Sequence, residues 1–97
     1  MIEYRFHWWR PAPTGTPAPV FAPVFTAEAP STLHGAALAL QHFVSLGYDV
    51  SAPLAHVDVT EANGAKHMVL VEEVLDWLRA PEQTAFVERE HLTTLVR

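Results

Sequence analysis

Asn63-Gly64 stands between two runs, residues 54–61 and 66–71, in which apolar side chains alternate with polar ones. In that setting Asn-Gly is the strongest short signal for a β-hairpin, because both central residues of a type I′ turn need positive φ. A two-residue turn there pairs Glu61 with Lys66, Val59 with Met68 and Val57 with Leu70. Four apolar side chains then share one face, with an opposite-charge pair beside the turn. The chain must therefore contain antiparallel sheet, and the remaining elements have to be arranged around it.

A second alternating run opens the chain. Ile2, Tyr4, Phe6 and Trp8 fall on one side of a strand, and Glu3, Arg5, His7 and Trp9 on the other. Residues 11–19 hold four Pro and one Gly, which cannot continue a ladder or a helix and read as an extended loop. Residues 20–26 are β-branched and aromatic, which favours a strand, while Pro23 assigns it to a sheet edge or a bulge.

Ser31 is a natural N-cap for the clearest helix, over 31–46. Leu33, Ala36, Ala37, Leu40, Phe43 and Val44 recur at helical spacing, and Gly47 supplies a left-handed residue for a Schellman closure. A second, shorter helix follows from Val71, Val74, Leu75 and Leu78, with Glu72 and Glu73 at its positive end and Pro81 as its stop. Residues 84–88 fit a last strand, and 90–96 a short helix or another strand.

These elements make an α+β chain: a small mixed or antiparallel sheet of four to five strands, packed by one long and one short helix. Residues 20–88 give the βαββαβ order of a ferredoxin-like domain, with Ile2–Trp9 as an added N-terminal strand. A β-grasp-like mixed sheet over one helix is the alternative. At 97 residues there is room for one domain, 1–97, and with no Cys its stability rests on a single packed core. No apolar run approaches a membrane span, and residues 1–5 lack a signal-peptide layout, so a cytoplasmic location is expected.

The formal charge of −5 argues against a general electrostatic grip on nucleic acid or anionic lipid. The charge is unevenly placed, since residues 1–25 carry Arg5 and Arg10 against Glu3 alone, a net of +1. Arg5, His7, Trp9 and Arg10 on the less apolar side of the first strand suit a partner's side chain or a stacked base. Leu38, on the outer stripe of the long helix between His34 and His42, suggests a contact with another chain. Trp77 beside the C-terminal acids offers a second anchor.

With the two-residue turn, His56, Asp58 and His67 share the second face of the hairpin, and two imidazoles with a carboxylate could hold Zn²⁺ or another divalent ion. No hydrolase, phosphate-binding, dinucleotide or zinc-protease motif is spelled, and there is no thiol nucleophile. The expectation is a small non-catalytic protein-interaction or regulatory module that forms a homodimer. A single-stranded nucleic-acid binder working through an open sheet face is the alternative, and a metal-binding protein or metal-dependent enzyme a further one.

Overall fold

The computed structural model describes residues 2–9, 24–46 and 56–96, with the backbone alone at Trp8 and Trp9. Four strands, β1 (Ile2–Trp9), β2 (Val24–Ala29), β3 (His56–Glu61) and β4 (Lys66–Leu70), form one open sheet. Their order is β2-β1-β3-β4, and every neighbouring pair is antiparallel. Among the described residues there are three α-helices, α1 (Thr32–Ser45), α2 (Val71–Leu78) and α3 (Thr84–Arg89). The class is α+β, as the sequence implies.

The finer topology differs from the expectation. β1 is not an addition to a sheet made by the later strands; it lies inside the sheet, bonded to β2 on one side and β3 on the other. Residues 84–88, expected as a closing strand, belong to α3. Phe86 and Val87 are adjacent and both buried, which a helix in a corner allows and a half-buried strand, with its period of two, does not. The described sheet therefore does not confirm the ferredoxin-like order, and its all-antiparallel pairing differs from the mixed sheet of a β-grasp-like arrangement.

One face of the sheet carries the core. Tyr4 and Phe6 of β1, Val57 and Val59 of β3 and Val69 of β4 are buried in one cluster with Leu40, Phe43, Val74, Leu78, Phe86 and Leu92 from the helical side. Burying a side chain of this size stabilises by roughly 1.5–3 kcal/mol. Ser31 caps α1, its hydroxyl accepting from the His34 amide at 3.3 Å. Gly35 faces the sheet so closely that a Cβ there would stand 2.6 Å from the Phe6 ring. A bare backbone at this position lets α1 settle onto β1, which neither helical periodicity nor propensity reveals.

Gly47 lies outside the described residues, so its closure is not observed. A Schellman closure does end α3: the Leu92 amide donates to the Val87 carbonyl at 2.9 Å and the His91 amide to Glu88 at 3.3 Å. His91 takes the left-handed conformation, φ 57°, where glycine is usual. This turn carries Leu92 into the core, fully buried.

The hairpin is real, but its turn is one residue longer than expected. The Gly64 amide donates to the Glu61 carbonyl at 2.9 Å, and the Glu61 amide to the Ala65 carbonyl at 2.8 Å. Gly64 has φ 90°, whereas Asn63 keeps negative φ. This is a three-residue loop, a type I turn followed by a left-handed glycine. The Asn63 Oδ1 accepts from the Ala65 amide at 2.9 Å, which the short polar side chain allows.

Candidate functional site

The turn decides which side chains meet. With three loop residues, Val57 pairs with Val69, Asp58 with Met68, Val59 with His67 and Thr60 with Lys66. Shifting a register by one residue sends every side chain of a strand to the other face. His67 therefore shares the side of Val59, at the edge of the covered face, while His56 and Asp58 lie on the open one. The expected His56, Asp58 and His67 cluster is not assembled, and no group of three or more metal-ligating side chains occurs among the described residues. His56 and Asp58 do meet, Nε2 to Oδ1 at 3.7 Å.

The open face can be read row by row across the sheet. In one row Thr26, Arg5, Thr60 and Lys66 lie side by side; in the next come Val24, His7, Asp58 and Met68. Val24 is 44% exposed and Met68 53%, the two apolar flanks of a polar centre. Asp58 is 57% exposed in its side chain and His56 only 13%. Arg5 and His7 thus fall where the alternation of β1 puts them, and Arg5 has two cross-strand threonine neighbours. Backbone pairing sets Trp9 opposite His56; the Trp9 side chain and Arg10 lie outside the described residues.

Met68 and Val24 are the residues that sequence reasoning missed. The two-residue turn placed Met68 beside Val59 in the core. The usable signal was the β-branched pair Val57 and Val69, which only the longer turn brings together on the covered face. Where β1 pairs with the end of β3, Glu3, Tyr4, Arg5, Thr60, Glu61 and Ala62 line a depression of about 180 Å³. That is below the range of about 300–1,000 Å³ typical of small-molecule sites, and its lining carries two carboxylates against one guanidinium.

The other expected anchors belong to the helical layer. Leu38 is half-buried and packs against the core. Trp77 also packs against the core and meets His34 edge-on at 4.7 Å. The His34 ring further contacts Phe86 at 4.9 Å, and its Nδ1 lies 2.6 Å from the Ser31 hydroxyl. Periodicity puts His34 outside the apolar stripe, yet α2 and α3 bring two aromatic rings to it. Burial desolvates this imidazole and the Arg89 charge opposes its protonation, and both hold its pKa below the ordinary value of 6.5.

No described helix is long and apolar enough to cross a membrane. The chain matches no protein-family model, no curated protein and no solved structure.

Proposed function

We propose that this chain is a small protein-interaction module that works through the open face of its sheet and associates with itself there. The observation that carries the reading is the contrast within single strands: Tyr4, Phe6, Val57 and Val59 are buried on one face, while Arg5, Thr26, Asp58, Met68 and Val24 stand exposed on the other. Val24 and Met68 leave apolar area on this face to be covered, and Arg5 and Asp58 leave charges that a partner's groups can pair. Nucleic acid suits this face less well, because Arg5 and Lys66 share it with Glu3, Glu28 and Asp58.

Light scattering coupled to size exclusion tests it. The wild-type chain is expected to rise above its 10.8 kDa monomer mass as concentration increases through the micromolar range. Val24→Asp and Met68→Asp should each restore the monomer while leaving the denaturant midpoint unchanged, since both positions are exposed. A monomer at every concentration, or association untouched by both substitutions, overturns the reading.

A further inference from the structure

Resting on that reading, we infer that the partner is a second copy of this chain, stacked sheet on sheet about a two-fold axis that runs parallel to the strands between β1 and β3. The order β2-β1-β3-β4 places two strands on each side of that line. Rotation about it lays β1 over the partner's β3 and β2 over the partner's β4, while each row stays over itself.

The row that crosses the middle of the face is self-complementary under this operation. Val24, His7, Asp58 and Met68 lie side by side in that order. After rotation Val24 covers the partner's Met68 and His7 covers the partner's Asp58, with both contacts repeated by symmetry. A two-fold interface requires such a patch, in which each group meets its complement rather than itself. The other in-plane axis, perpendicular to the strands through the same row, would stack Asp58 on the partner's Asp58 and Val24 on the partner's Val24. Like charges facing each other are destabilising, so that geometry is disfavoured.

Charge also selects this face over the helical one. The open face holds Arg5 and Lys66 against Glu3, Glu28 and Asp58, close to balance. Residues 71–90 hold Glu72, Glu73, Asp76, Glu82, Glu88 and Glu90 against Arg79 and Arg89 alone. Two copies meeting through that surface would repel. The patch is modest: four strands at about 4.8 Å spacing, each presenting about 17 Å of length, give a footprint well under the roughly 800 Å² per partner of a standard interface. The dimer is accordingly a weak one, formed at micromolar concentration and above.

Because the chain has no Cys, single-thiol variants report the geometry without background. Facing sheets lie about 10 Å apart, too far for a disulfide but within reach of a short bismaleimide. In this arrangement Val24 and the partner's Val24 are separated by a further sideways distance of about 14 Å, three strand spacings. An equimolar mixture of Val24→Cys and Met68→Cys chains should give a cross-linked dimer, and either variant alone should give almost none. In addition, Asp58→Lys should weaken association about tenfold although it lowers the net negative charge, and adding His7→Asp should restore it. Cross-linking of Val24→Cys with itself means the other axis. A dimer by light scattering with no cross-link in the mixture means a different surface. Either result overturns the inference while leaving self-association standing, whereas a chain that is monomeric throughout overturns both.

Discussion

The two faces of the sheet are built from alternate residues of the same four strands, yet they obey different rules. On the covered face Phe6, Val57 and Val59 are essentially inaccessible and belong to one core cluster with side chains of the helices. On the open face Arg5, Asp58 and Met68 are exposed, and His56 and Asp58 pair at 3.7 Å. One residue along a strand separates a position set by packing from one with latitude to bind. A substitution's cost should therefore alternate along β1 with the period of two.

The largest expected contrast is between neighbours. Phe6→Ala removes a fully buried aromatic and should cost about 3–5 kcal/mol, while Arg5→Ala should stay within about 0.5 kcal/mol, as exposed substitutions do. Denaturant midpoints measure both, and a comparable loss at Arg5 would break the comparison. Gly35→Ala sharpens it from the helical side. Ala is the better helix former by about 1 kcal/mol, but the new Cβ would collide with the buried Phe6 ring, and overpacking of this kind costs about 1–3 kcal/mol. The net outcome should be a loss of stability, and a gain would mean that α1 sits farther from β1.

Gly64→Ala tests the turn that sorts residues onto the two faces. Nothing lies within 4 Å of the position a Cβ would take, so the expected loss of about 1 kcal/mol comes from the positive φ alone. Asn at the same position tolerates that φ better and should lose less.

The smallest effect is a pH dependence from the covered side. His34 has its pKa lowered by burial first and by Arg89 second. The folded state then binds this proton less readily than the unfolded chain. Its contribution to stability is complete above the unfolded value near 6.5, declines as pH falls below it, and levels off below the folded value. His34→Gln should remove part of the slope between pH 8 and pH 5. An unchanged slope would mean that His34 is solvated rather than enclosed by Trp77 and Phe86.

Local signals made much of this architecture legible. Alternation located β1, and the capping serine at 31 with its apolar stripe located α1. Asn63-Gly64 located the hairpin and the positive φ of Gly64. The same dipeptide left the turn length open, because Gly64 suits both a two-residue turn and the third position of a longer loop. That ambiguity moved Met68 and His67 to the wrong faces and added His67 to the His56–Asp58 pair, which it does not join. At the C-terminal end no glycine marks the close of α3, since His91 takes the left-handed position, so the residues around it resemble a strand as readily as a helix.

Which residues alternate, where a helix can start and which side chains are large and apolar were determined by the sequence itself, because those preferences act over a few neighbouring residues. The interior place of β1, the pairing of Val57 with Val69 and the enclosure of His34 were decided only in the tertiary structure. Each depends on segments distant in the chain, and each was selected by the packing of the covered face. The hairpin register that keeps Val57, Val59 and Val69 under the helices also turns Met68 and Asp58 outward. The composition of the open face is thus a consequence of how the opposite face is buried.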